Sequence, residues 1–324
     1  MRSIRKIAAG LAAASLVVGL TACSSQGGAQ DPGAAPDGER YTIAMITHEQ
    51  AGDTFWDKIR AGAEDAAATH GIDLKYSNNE QGPEQATLVQ NAIDSQVDGI
   101  AVTLSSADAV VPVAKKAADA GIPVVAFNQG IDQYTDAGAK MYFGSDENLA
   151  GQTVGEKLGQ SSPGGKVLCV IQAQGSVALE TRCQGVQAAY ANTENIQVNG
   201  ADLPSVQQTL NAKLAEDRSI TDIVTLGAPI AMAALQAQEG SGSTAKIATF
   251  DLNQDAAKAI QDGRIQFSVD QQPYVQGYLA VESLWLNLSN GNDIGGGKPT
   301  LTGPSLVDSS NIAQILPYTE TNKR

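Results

Sequence analysis

Histidine, cysteine and the large aromatics are scarce in this chain of 324 residues, which carries two His, three Cys, two Trp and five Phe. Two histidines with no clustered ligands leave nothing to build a metal site from, so neither metal nor cofactor is expected. No Cys is paired with a helix-start His and no Gly-x-Ser-x-Gly occurs, which removes the common nucleophilic hydrolase arrangements. Positive charge is also short: 21 Lys and Arg stand against 35 Asp and Glu, for a formal net charge of −14. Such a surface repels nucleic-acid phosphates and anionic lipid headgroups, so no nucleic-acid partner is expected. No apolar run beyond the first two dozen residues reaches the length of a membrane span. The glycine-rich stretches "GSGST" (240–244) and "GGG" (295–297) do not join a strand to a helix as a phosphate loop must.

What is present is a globular balance, 42% apolar and 17% charged, in a length that suits two domains. The first residues carry Arg2, Arg5 and Lys6, then "IAAGLAAASLVVGL", then "LTAC". A basic start, a short apolar core and a small-residue site read as an export signal over 1–22. "LTAC" resembles the lipobox of bacterial lipoproteins, in which the chain is cut before the cysteine; the resemblance implies a lipid on Cys23. A lipidated cysteine anchors a chain to the cell membrane without spanning it. Residues 24–40, "SSQGGAQDPGAAPDGER", read as a flexible tether. In an oxidising compartment the remaining pair, Cys169 and Cys183, suits a disulfide, with two buried thiols the plainer alternative.

From residue 41 onward, apolar β-rich runs alternate with Ala-rich helical stretches. The pattern predicts strands at 41–47, 72–77, 98–104, 123–127, 140–143, 166–171, 196–201, 221–226, 246–250 and 265–270. Helices are predicted at 54–69, 84–95, 108–119, 147–161, 179–192, 205–217, 229–238, 254–261 and 274–289. Runs such as "IPVVAF" and "DIVTL" are apolar on both faces, as in a parallel sheet covered on both sides. "VDGIAVTL" (97–104) and "ITDIVTLG" (220–227) echo one another, as do "GIPVVAF" and "AKIATFD". The fold class expected is α/β, two doubly wound parallel-sheet domains joined by a three-segment hinge near 144–147, 270–273 and 298–305. The expected division is 41–144 with 273–298, and 145–272 with 299–318.

Ligands of such sheets collect beyond the carboxyl ends of the strands. Those positions here hold Asp53, Phe55 and Trp56, then Asn128 and Gln129, Arg182, Asp251 and Gln271. Forked polar groups pair with adjacent hydroxyls, and aromatic rings stack on the C–H faces of a sugar-like ring. The set suits a small neutral sugar or polyol. Simpler roles remain open beside this one. Asp53 and Asp251 also suit helix capping, and Arg182 suits an ion pair with Glu180 or a nearby acid. Phe55 and Trp56, adjacent on a helix, cannot both face its core. His48 and Glu49 lie in the first loop, where they can reach the rim.

The stretches "DTFWDKIRAGAEDAA", "VDGIAVTLSSADAV", "AGIPVVAFNQ", "FGSDENLAGQ", "ETRCQGV", "TFDLNQDAAKAI" and "DQQPYVQGYLAV" resemble, in order and spacing, the type I periplasmic sugar-binding proteins of ABC importers, the ribose-binding group. The resemblance covers about residues 41–318. It implies that Asp53, Phe55 and Trp56 bond and stack on the sugar ring, and that Asn128 and Gln129 hold hydroxyls where many relatives have Asp-Arg. It also implies that Arg182, Asp251 and Gln271 complete the site. The chain departs from the pattern at Gly227-Ala228, where relatives offer Asn-Asp, and at Leu203, where some have an aromatic. A pentose, hexose or inositol is therefore the expected ligand class, captured by a monomer for a permease and its ATPase. A signalling receptor of the same fold and an extracytoplasmic glycoside hydrolase are the competing readings.

Overall fold

The computed structural model describes residues 40–50 and 53–324. The expected signal segment, Cys23 and nearly all of the tether lie outside the described residues.

Two six-stranded sheets form two lobes. The first contains β1 (Thr42–Thr47), β2 (Asp73–Asn78), β3 (Gly99–Val102), β4 (Val124–Asn128), β5 (Met141–Gly144) and β11 (Thr300–Leu301), in the order β11-β5-β4-β3-β1-β2. All of its pairings are parallel. The second contains β6 (Lys166–Ile171), β7 (Thr193–Gln197), β8 (Ile220–Thr225), β9 (Lys246–Phe250), β10 (Phe267–Asp270) and β12 (Ser305–Asp308), in the order β12-β10-β9-β8-β6-β7. The β12 strand runs antiparallel to β10, and the others are parallel. The two orders match strand for strand, so the internal echo read in the sequence corresponds to β3 with β8 and β4 with β9.

Both faces of each sheet are covered, which is why the strands read as continuous apolar runs. In β1, Ile43 and Met45 enter one core cluster while Ala44 and Ile46 enter the cluster on the opposite face. On the first sheet lie α1 (Phe55–His70), α2 (Gly82–Asp94), α3 (Ala107–Asp119) and α9 (Pro273–Asn290). On the second lie α4 (Glu147–Ser161), α5 (Val177–Ala189), α6 (Leu203–Glu216), α7 (Ala228–Ser241), α8 (Gln254–Gln261) and α10 (Ile312–Thr319).

The fifth strand of each lobe sends its helix to the other lobe. After β5 the chain crosses and α4 packs on α5; after β10 it crosses back and α9 packs on α1. Glycine makes both packings possible. A Cβ on Gly277 would fall on the Ile59 carbonyl oxygen, and one on Gly151 would fall on that of Arg182. These close approaches seat α1 and α5 with their first turns at the sheet edge where the strands end.

Three features differ from the sequence reading. The β7 strand is Thr193–Gln197 rather than 196–201, because it is a half-exposed edge strand with little apolar signal, and Ile196 and Val198 draw the pattern toward the C-terminus. The short strands β11 and β12 and the helix α10 carried too little periodicity to be read. The third crossing falls at 302–304, within the expected 298–305, and the first lobe's share runs to 301 rather than 298, since Thr300 and Leu301 pair with Phe143 and Gly144 of the first sheet.

Candidate functional site

Equivalent strands end in equivalent ways. Asn128 closes β4 and Asp251 follows β9, both in the left-handed backbone region at φ 63° and 60°. That conformation is uncommon outside glycine and is favoured by Asn and Asp among other residues. It turns each chain sharply at the carboxyl edge of its sheet.

A continuous polar chain runs between these two ends. Asn128 Nδ2 donates to Gln271 Oε1 at 3.2 Å, and Gln271 Nε2 donates to Asp251 Oδ1 at 3.0 Å. Arg182 Nη1 lies 3.8 Å from Asp251 Oδ2. Thus four of the residues expected at the site, Asn128, Gln271, Asp251 and Arg182, meet across the two lobes. Gln271 sits on the second crossing, 5% exposed, and is held by Gln276, whose Nε2 donates to the Gln271 carbonyl at 3.2 Å. Gln276 also takes a bond from Asn128 Nδ2 at 3.1 Å and donates to Thr302 Oγ1 at 3.1 Å. Thr302 Oγ1 in turn donates to the Gln271 carbonyl at 2.7 Å, and Thr302 N to that of Gly144 at 2.8 Å. All three crossings are stitched together behind the site.

Arg182 is 5% exposed and pairs with Glu147 through Nε and Nη2, not with Glu180. Nη1 donates to the Leu226 carbonyl at 3.3 Å, and the guanidinium lies over the Phe250 ring at 5.0 Å. Burial works against its charge, but Glu147 and Asp251 more than offset this, and its pKa rises above the ordinary value. The Asp251 carboxyl is pushed up to about 7 by burial, with Arg182 and the Gln271 bond pulling it back. Helix capping falls to its neighbour: Asn253 Oδ1 accepts from Ala256 N at 2.8 Å at the start of α8.

The other expected residues gather at the start of α1. Asp53 is exposed and accepts from Phe55 N at 3.0 Å, which braces the helix entry. Trp56 is 4% exposed within the first-lobe core, edge-on to His48 at 4.7 Å, while Phe55 is half-buried, edge-on to Trp56 at 5.3 Å. The two aromatics diverge, as adjacent helical positions must. Gln129 is turned inward: its Nε2 donates to His48 Nε2 at 3.0 Å, which makes Nδ1 the protonated nitrogen, donating to Thr103 Oγ1 at 2.8 Å. Burial drives the His48 pKa down to about 3, so the ring is neutral. Glu49 is likewise taken up inside the first lobe by Arg60 Nη2 at 2.9 Å, Tyr76 Oη at 2.7 Å and Asn78 Nδ2 at 3.0 Å. Neither residue of the first loop is free at the rim.

Sequence reasoning missed Glu147, Gln172 and Lys58. Glu147 reads as a first-turn acid of α4, and nothing local shows that it will meet Arg182. Gln172 follows β6 and donates to the Leu226 carbonyl at 3.2 Å, beside Gly227. Its Oε1 is buried with no hydrogen-bond partner among the described residues. Such an orphan acceptor calls for a donor such as a hydroxyl. Lys58 is buried one turn into α1. In the second lobe Cys169, in β6, and Cys183, on α5, form a disulfide that ties the Arg182-bearing helix to its sheet. Among the described residues no cluster of three or more metal-ligating side chains occurs.

Two lobes of matched topology meet with forked polar groups converging where their strands end. A family profile described as the periplasmic binding protein domain matches residues 43–293. A crystal structure of a carbohydrate transporter from Acidothermus cellulolyticus 11B, in complex with myo-inositol, is 53% identical, with a TM-score of 0.85 over 88% of this chain and 100% of that one. The xylose/arabinose-binding protein XylF of Sulfolobus acidocaldarius is 25% identical over 306 residues, 88% of this chain and 75% of its own. A xylitol-binding protein of Mycolicibacterium smegmatis is 26% identical over 275 residues, 81% of this chain and 75% of its own. The chain belongs to the periplasmic binding protein family, as one of the sugar- and polyol-binding proteins of ABC transporters, which bind and do not catalyse. The competing reading of a glycoside hydrolase falls with that membership.

Proposed function

We propose that the chain is the lipid-anchored, monomeric receptor of an ABC importer for a neutral cyclitol or monosaccharide, with myo-inositol the first ligand to test. The observation that carries this reading is the polar chain Asn128–Gln271–Asp251–Arg182, which spans both lobes and presents forked acceptors and donors together. The myo-inositol complex of a relative 53% identical supports the choice of guest. In this reading Phe55 offers a ring face to the guest, with Trp56, His48 and Gln129 packed behind it as a rigid backing, and Asp53 guards the mouth. Asn128, Gln271, Asp251 and Arg182 bond hydroxyls, and the orphan Gln172 Oε1 accepts one more. A guest that gains partners from both lobes only when they meet biases the hinge toward closure. The rigid bodies are residues 41–144 with 273–301, and 145–270 with 305–324. The closed form then docks on a permease served by an ATPase, and the lipid on Cys23 keeps it at the membrane. A Cys23→Ser chain recovered entirely with the membranes would refute the anchor.

The test of the ligand is a panel of myo-inositol, ribose, arabinose, xylose, allose and xylitol, read by thermal stability. A ligand at a hundredfold over its Kd should stabilise the folded chain by about 2.7 kcal/mol. No stabilisation by any member of the panel would overturn the reading.

A further inference from the structure

Lys58 stands where a lysine is least at home. It is 4% exposed, in the second turn of α1, and its side chain leans back toward the helix N-terminus, as helical side chains do. Its Nζ reaches only the Thr54 carbonyl, at 3.5 Å. No carboxylate among the described residues lies within 4.0 Å of it. The helix end toward which it leans carries the positive pole of the macrodipole, which disfavours a cation. Burial and dipole thus both oppose the ammonium. Burial is the largest influence on the ammonium and lowers its pKa, and attraction from Asp251 and Asp270 of the second lobe, then Asp57 and Asp53, offsets it only in part. Two of these acids are otherwise engaged. Asp270 Oδ2 lies 3.0 Å from Arg324 Nε, and Asp251 faces Arg182.

The base of the site thus gathers Lys58, Arg182 and Arg324 with Glu147, Asp251 and Asp270, and the ammonium has donor capacity beyond its one contact to the Thr54 carbonyl. A guest hydroxyl suits that position well, since it can give its proton to Asp251 and accept from Lys58 through the same oxygen. An ammonium-bearing guest would meet Lys58 head-on and has no lone pair to offer it.

We infer that Lys58 is a specificity-determining ligand contact, which donates to a guest hydroxyl beside Asp251 and thereby selects uncharged polyols over cationic amino-sugars and amino-cyclitols. The inference rests on the polyol reading of the site. Part of the selection is repulsion, the usual means of rejecting a guest of nearly the same shape.

The test uses the full chain and its Lys58→Met and Lys58→Gln variants, titrated calorimetrically with myo-inositol and with an aminodeoxy-inositol. Wild type is expected to favour myo-inositol by at least about tenfold, the scale of one hydrogen bond to a charged group. Lys58→Met should weaken myo-inositol by about tenfold or more and shrink the neutral-to-amine preference by a similar factor. Lys58→Gln, which keeps a donor but no charge, should lose the discrimination while retaining more of the myo-inositol affinity. An unchanged preference, or myo-inositol affinity within about twofold of wild type in Lys58→Met, would overturn the inference. Titration of the Asp251 carboxyl by carbon NMR in the ligand-free chain gives a reading that needs no guest. Loss of the ammonium should move that titration to higher pH in Lys58→Met, and coincident curves would overturn the inference by themselves. Failure of wild type to bind either cyclitol would instead count against the ligand proposed above, and the Asp251 titration would still decide the role of Lys58.

Discussion

The sharpest consequence of the site is a pH dependence centred on Asp251. Burial lifts its carboxyl from an ordinary 3.8 to about 7, despite the pull of Arg182. A carboxyl whose folded value is raised binds its proton more tightly in the folded state. Its stabilising contribution is therefore complete below the unfolded value and is lost as pH rises through the folded one. At pH 5 the group sits about two pKa units below 7, and at about 1.4 kcal/mol per unit it favours folding by about 3 kcal/mol, almost all of which is gone at pH 8. Asp251→Asn keeps a neutral group that can still accept from Gln271, so it removes the titration and little else. Urea unfolding of the ligand-free chain at pH 5, 6, 7 and 8 should show wild type losing about 3 kcal/mol relative to Asp251→Asn, with half of the loss complete near pH 6 and the curve levelling off above pH 7. Asp270 and the other acids titrate in both chains and cancel in the difference. Parallel profiles, or a difference that grows in favour of wild type toward alkaline pH, would refute the reasoning. Saturating myo-inositol should flatten the profile, because a hydroxyl donating to the carboxylate favours its charged form.

Gln271→Ala removes the shared partner of Asn128, Gln276 and Asp251, and leaving buried groups unpaired should lower stability by about 1–3 kcal/mol and weaken ligand binding severalfold; an unchanged urea midpoint together with wild-type affinity would be the contrary result. Gly277→Ala places a methyl group against the Ile59 carbonyl and should push α9 from α1 at a cost of about 1–3 kcal/mol, read as a lowered Tm. If Gly277→Ala melts with wild type, the close approach of the two helices is not what seats α1.

The fold was legible because each lobe repeats one unit, and because strands buried on both faces announce themselves as unbroken apolar runs. Elements without that signature were lost, as with the half-exposed β7 and the two-residue β11. Within the site, positions fixed by a strand end were also readable: Asn128, Asp251 and Gln271 follow directly from where β4, β9 and β10 stop. What each side chain then does was not readable. Gln129 lies one residue beyond Asn128 yet turns inward to His48, because the left-handed turn at Asn128 redirects the chain. Trp56 and Phe55 carry the same sequence signal, and only the packing of α1 decides which one enters the core. Glu147 and Lys58 depend on contacts between helices far apart in the chain, and a first-turn acid or a helical lysine gives no local hint of such a partner.

The distribution of charge within the cleft bears on how it opens. The buried ion pair of Arg182 with Glu147 joins α5 to α4 and so lies within the second lobe. Asp270 is met by Arg324 on the second-lobe side of the hinge. By contrast, the link from the first lobe to Gln271 is an amide-to-amide bond from Asn128, and the ion pair Lys323–Asp65, which does cross, is half-exposed on both sides. Exposed pairs contribute about 0–1 kcal/mol and neutral hydrogen bonds about 1 kcal/mol, whereas parting a buried ion pair costs about 3–5 kcal/mol. In the proposed hinge, opening would break inexpensive contacts and leave costly ones intact, which would keep the two forms within reach of the binding energy of a small neutral ligand. Lys58 is the exception, a buried lysine of the first lobe whose strongest attractions are Asp251 and Asp270 of the second. In the proposed closure it would leave water, and a guest oxygen that satisfied its ammonium would offset that cost only with the correct ligand present. A residue so placed would couple recognition to closure through the same hydrogen bond.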